Sequence, residues 1–177
     1  MESRGELVGC TVVFSAVIRD TAYEGGALMN IKGHVGLNAV GEGLGKSFRP
    51  AIKLGVFQSA PGRTAATATP DFVYAVGSNG STAKSVLASR PSLDADGTLL
   101  SVLAFDDPSV GVLKDVAAGK PVTFAYSRGA SGVDSKAVVD FSVVDINIVG
   151  DRVVRTRNNR EAASFAKCNS QLLQAVK

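Results

Sequence analysis

Residues 10–18 divide by parity. Cys10, Val12, Phe14, Ala16 and Ile18 form a wholly apolar set, while Thr11, Val13, Ser15 and Val17 are mixed. A period of two with one apolar face predicts a strand buried on one side. Residues 27–32 and 34–40 read as a hairpin pair around Gly33, and the Gly-rich stretch 41–50 as loop. A further strand is expected over 51–58, with Ile52, Leu54 and Val56 on one face. Residues 59–70 (SAPGRTAATATP) hold two prolines and many small residues and are expected as surface loop.

Residues 72–77 and 83–89 flank Ser78-Asn79-Gly80-Ser81, and Asn-Gly is the strongest short hairpin signal. Asp96-Gly97 marks another turn before a strand at 99–105. The period then changes. Asp107-Pro108 supplies a capping carboxylate and an early helical proline, Val110, Leu113 and Val116 recur at helical spacing, and Gly119 suits a left-handed cap. Residues 121–127 and 135–148 return to strand character. In the second, the apolar set Val139, Phe141, Val143 switches parity to Val144, Ile146, Ile148, which predicts a β-bulge. A closing helix is expected over about 159–176. Asn158 and Glu161 are spaced as a capping box, and Phe165, Cys168 or Asn169, Leu172 and Val176 share one face.

One spacing recurs. Phe72, Tyr74, Gly77, Gly80, Lys84 and Val86 are echoed 52 residues later by Phe124, Tyr126, Gly129, Gly132, Lys136 and Val138. Both copies read as strand, Gly-rich turn, strand. Two hairpins under the same turn rules explain this, as does a duplicated half; two copies are too few for a solenoid.

Composition sharpens the fold class. The chain of 177 residues is 45% apolar and 20% charged, within the range of one globular domain spanning 1–177. Valine is the most frequent apolar residue and Trp is absent, which favours pleated surfaces over helices. The expectation is a mainly β (α+β) fold. It is an antiparallel β-sandwich or partly open barrel with one short internal helix and a C-terminal helix packed on the sheet.

The net charge is +3, with one basic cluster at Arg152, Arg155, Arg157 and Arg160. A nucleic-acid binder needs a broader basic stripe, so no nucleic-acid partner is expected. No apolar run approaches the roughly 20 residues of a membrane-crossing helix, and residues 1–6 do not form a signal peptide.

Cys10 and Cys168 bracket nearly the whole chain. The first strand's apolar face and the last helix's apolar face bring them together in expectation. The bond would close a loop of about 159 residues, worth roughly 5 kcal/mol in the loop-entropy picture. Two buried free thiols are the alternative. A disulfide belongs to an oxidising compartment. The expectation is thus a periplasmic or secreted chain with its leader removed, the cytoplasm being the alternative.

Catalytic motifs fail on their details. Gly41-Glu-Gly-Leu-Gly45-Lys46-Ser47 resembles the end of a phosphate-binding loop, but Val40 stands where its first Gly belongs and Pro50 interrupts the helix that should follow. Ser81-Thr-Ala-Lys84 follows a turn instead of opening a buried helix. His34 has no serine elbow or exposed thiol to serve. One His and two distant Cys do not make a zinc site, Asp94-Ala-Asp96-Gly97 lacks further calcium ligands, and Asp106-Asp107 reads as a cap. Asp140 and Asp145 straddle the expected bulge and read as outward polar positions. No catalytic residue, cofactor or metal is expected. Asn79-Gly80-Ser81 fits a glycosylation acceptor, relevant only in a eukaryotic secretory host.

These features point to a non-enzymatic extracytoplasmic binding module. Its partner protein or glycan would be met through Gly/Ser-rich hairpin loops carrying Tyr74, Asn79, Ser81, Tyr126, Arg128 and Ser131. The competing readings are an assembly subunit self-associating through an edge strand or the terminal helix, and a hydrolase whose site is scattered along the chain.

Overall fold

In a computed structural model, the described residues are 2–3, 6–7, 9–40, 47–60, 63–93, 95–129, 132–149 and 152–174. Alternating apolar residues build most of the chain into strands. In order they are β1 (Glu2–Ser3), β2 (Glu6–Leu7), β3 (Gly9–Asp20), β4 (Ala27–Val40), β5 (Ser47–Ala60) and β6 (Arg63–Ala66). Next come β7 (Phe72–Gly77), β8 (Gly80–Ser81), β9 (Val86–Pro91), β10 (Thr98–Leu103) and helix α1 (Asp107–Ala117). The chain continues through β11 (Val122–Ser127), β12 (Ser135–Val139), β13 (Val143–Val149), β14 (Arg152–Asn158) and helix α2 (Arg160–Gln174).

Two antiparallel sheets face each other. The first has the order β3-β4-β5-β10-β9, with β6 beside β5; the second has the order β12-β11-β7-β8. The aromatic rings of Phe14 on β3 and Phe124 on β11 stack at 4.1 Å between centroids, and Phe141 sets its edge against both at 6.1 Å. Met29, Ile31, Ile52, Leu54 and Val56 fill the first sheet's inner face, and Val73, Val122 and Tyr126 the second's. One apolar cluster runs from Cys10 to Leu172 and includes Val112 and Val116 of α1 and Phe165 of α2. The expected mainly β sandwich with two helices is the observed architecture.

Several local expectations are corrected. Gly33 does not turn the chain; β4 runs unbroken through it, because Phe14's ring lies over its backbone. A Cβ at Gly33 would stand 2.5 Å from that ring. The expected loops at 41–50 and 59–70 are in part strand, since β5 begins at Ser47 and β6 pairs with its far end. Residues 41–46, including the phosphate-loop look-alike, lie outside the described residues, and Pro50 sits in a strand.

The cap of α1 is Asp106, one residue earlier than expected, accepting from the Ser109 amide at 3.2 Å. Residues 82–85 form a 3-10 turn, capped by Ser81, before β9 begins. The parity switch near Val143 is not a bulge. There the chain leaves the second sheet, and β13 and β14 pair with each other as a separate ribbon. Asp140 makes the corner, accepting the Ser142 amide at 2.9 Å and its hydroxyl at 2.7 Å.

The repeated spacing also resolves in the register. β7 and β11 are neighbours, with Tyr126 opposite Val73 and Ala125 opposite Tyr74. Facing partners share a side of a sheet, so the two echoed tyrosines project to opposite faces. The second limbs differ as well: one is a two-residue strand and a 3-10 turn, the other a five-residue strand. Common turn chemistry accounts for the echo better than matching halves.

Candidate functional site

β3 is an edge strand: among the described residues no strand pairs with its outer side. α2 lies along it, placing Phe165 and Leu172 in the core and tying Cys168 to Cys10 by a disulfide, with Cα atoms 5.8 Å apart. The expected pairing of the cysteines is thus present. α2 closes part of the seam between the two sheets that β3 and β12 border.

The rest of that seam is a groove of about 580 Å³. Its walls are the segment Cys10–Ser15 of β3, residues 139–142 after β12, and the Glu161, Ser164, Phe165 and Cys168 side of α2. The apolar floor comes from Phe14, Phe141, Phe165 and the disulfide. Ser142 and Ser164 add hydroxyls, and Asp140 and Glu161 add carboxyl groups. Asp140 is held below the ordinary carboxylate range. Ser142's hydroxyl and amide contribute most, a small desolvation effect opposes them, and Arg157 at 3.3 Å adds a favourable charge. It is therefore an anion at neutral pH, suited to ion pairing and poorly suited to proton donation.

The hairpin residues singled out from sequence are mostly engaged inside the fold. The loop before β8 is anchored on α1. Ser78 donates its amide and hydroxyl to Asp115 at 2.6 and 3.0 Å, and Asn79 donates to the Asp107 carbonyl at 3.5 Å. Gly111 makes room for Asn79, because a Cβ there would lie 2.6 Å from Asn79. Asn79 and Ser81 are nevertheless exposed, whereas Tyr74 and Tyr126 are buried. Tyr74 donates to Asp134, and burial with that carboxylate pushes its phenol up to about 12. Ser131 lies outside the described residues, as does the side chain of Asp145.

Arg128 and Tyr126 belong to a polar network at the far end of β3. Asp20, fully buried, accepts from the Ser135 hydroxyl at 2.6 Å, the Ala22 and Tyr23 amides at 3.0 Å, and the Tyr126 hydroxyl. Burial raises its pKa, but these hydrogen bonds together outweigh burial and hold it below the ordinary value. The Tyr126 phenol is pushed well up, first by burial and then by its bond to Asp20. Arg128 lies over the Tyr23 and Tyr126 rings and pairs with Glu24 at 2.7 Å. This network fastens β3 to β11 and β12.

His34 projects outward from β4 opposite Lys53. Among the described residues no group of three His, Cys, Asp or Glu side chains is placed to hold a metal ion, and no helix is long and apolar enough to cross a membrane. Comparison of the chain with protein-family models, curated proteins and solved structures finds no match.

The groove was missed in sequence because its walls come from three distant segments. Its one signal was the cysteine pair, which already placed α2 beside the first strand.

Proposed function

We propose that the protein is a non-enzymatic binding module of an oxidising, extracytoplasmic compartment, and that it holds an extended segment of a partner protein along the outer edge of β3. One observation carries this reading: over residues Cys10–Ser15 a strand edge with no strand partner among the described residues borders a groove of about 580 Å³. Strand addition to such an edge gives affinity through main-chain hydrogen bonds and specificity through alternate side-chain pockets. The partner segment would carry small apolar residues towards Phe141 and Phe165, and basic or hydroxyl residues towards Asp140 and Glu161. The Cys10–Cys168 bond supports the choice of compartment, since such bonds persist where the surroundings are oxidising.

The test is selection of displayed peptides on the folded, oxidised chain, with Ser164→Trp as counter-target to fill the groove. Expected are peptides with two-residue alternation that lose binding to Ser164→Trp and slow hydrogen exchange in β3. Equal binding to Ser164→Trp would remove the groove from consideration. Failure to select peptides, with concentration-dependent mass and slowed exchange in β3, would assign the edge to a second copy of this chain.

A further inference from the structure

The outward face of the first sheet carries a charge pattern that the groove does not explain. The chain as a whole is nearly balanced, with Lys+Arg 19 and Asp+Glu 16. Yet the register places Arg19, Lys32, Arg49, Lys53 and Arg90, with His34, on this face and no Asp or Glu. The one carboxylate in these strands, Asp20, points inward and is buried. Arg19, Lys32, Arg49 and Arg90 form no ion pair among the described residues. These four cations, with no ion-pair partner among the described residues, make the face a binding field for an anionic partner.

Between the cations the surface is aliphatic. Val13, Val17 and Leu28 are 66%, 68% and 57% exposed, and Leu100 and Val102 are half-buried. Phe57 is the aromatic residue that the register places here, and Lys32 already lies over its ring at 5.6 Å. A nucleic-acid platform would present several open rings for base stacking. Exposed valine and leucine beside long cationic side chains instead match the boundary of lipid headgroups and acyl chains.

We infer that the outward face of the β3-β4-β5-β10-β9 sheet docks on a bilayer containing anionic phospholipid. The cations meet headgroup phosphates while Val13, Val17 and Leu28 enter the interface.

Flotation of the oxidised chain with vesicles tests this, comparing phosphatidylcholine alone with phosphatidylcholine mixed with phosphatidylglycerol. Binding is expected only to the anionic vesicles and is lost at roughly 1 M salt, where the screening length falls to about 3 Å. The pair Lys32→Gln and Arg90→Gln lowers partitioning roughly 30-fold, taking about 1 kcal/mol for each cation near the surface. Val13→Ser with Val17→Ser weakens vesicle binding and leaves binding to dextran sulfate unchanged. Absence of binding to anionic vesicles at low salt would overturn the inference, as would unaltered partitioning of the Lys32→Gln/Arg90→Gln protein. Binding to dextran sulfate or single-stranded DNA without vesicle binding would give the face to a soluble polyanion.

Discussion

β3 is fastened at both ends, by opposite chemistry. Cys10 at its start is bonded covalently to α2 in an apolar setting; Asp20 at its end is a buried anion held by hydrogen bonds from Ser135, Tyr126 and two amides. The two residues lie on the same face of the strand, about 33 Å apart at 3.3 Å per residue. An edge strand has a ladder on one side only, so its ends fray unless something else holds them. The first fastening responds to redox state and not to protonation, the second to protonation and not to redox state. The groove lies beside the covalent end, so binding there is expected to be more sensitive to reduction than to mild acid.

The largest effect comes from cutting the covalent end. The bond closes a sequence separation of 158 residues, for which loop entropy gives about 5 kcal/mol. Cys10→Ser with Cys168→Ser, or reduction, is expected to lower the unfolding free energy by up to that amount in denaturant titration. It should also speed hydrogen exchange in α2 before β4 or β5 responds, since the packing of Ala162, Phe165 and Leu172 must then hold the helix without the covalent tie. Simultaneous loosening of all strands would mean that α2 is not a separate closing element.

The anionic end answers to pH. Asp20's folded pKa is depressed, so its stabilisation is complete above the unfolded value of about 3.9 and is lost as pH falls through the lower folded value. Asp20→Asn keeps the shape and removes the charge, leaving Tyr126 and Ser135 donating to a weaker acceptor. We expect a loss of about 2–3 kcal/mol at neutral pH, by the worth of charge-assisted hydrogen bonds. The difference from the parent should narrow as pH is lowered below about 4. A constant difference across that range would show that the charge of Asp20 is not what the network stabilises.

The two ends also differ in how legible they are in sequence. Cys10 is announced by the parity of its strand and Cys168 by a helical face, so both local patterns point at the bond. Asp20 ends a strand as any polar residue might, and its partners Tyr126 and Ser135 are 106 and 115 residues away. No local period marks such a contact. Gly33 shows a different difficulty: a glycine under an aromatic ring and a glycine in a turn look alike until the ring is placed. The switch near Val143 was visible as a change of period, but a bulge and a departure from the sheet change the period identically. The loop residues Ser78 and Asn79 carried turn chemistry correctly, and only the position of α1 shows that they also anchor the loop. The carboxylate-free face needed the strand register, because its cations are spread from Arg19 to Arg90.

The smallest test sharpens the boundary of the polar end. Arg128 is 12% exposed and Glu24 31%, so their pair at 2.7 Å is screened on one side by solvent. Glu24→Gln is therefore expected to cost no more than about 1 kcal/mol, because ion pairs open to water rarely contribute more. Arg128 also donates to Thr67 and lies over the Tyr23 and Tyr126 rings, contacts that survive the change. A loss near that of Asp20→Asn would mean that Glu24 belongs to the same cooperative network as Asp20. A double-mutant cycle between Glu24 and Asp20 would then show coupling well above the roughly 0.3–0.5 kcal/mol tolerance for independent sites. Near-additivity would confine the anionic fastening of β3 to Asp20 and its four donors.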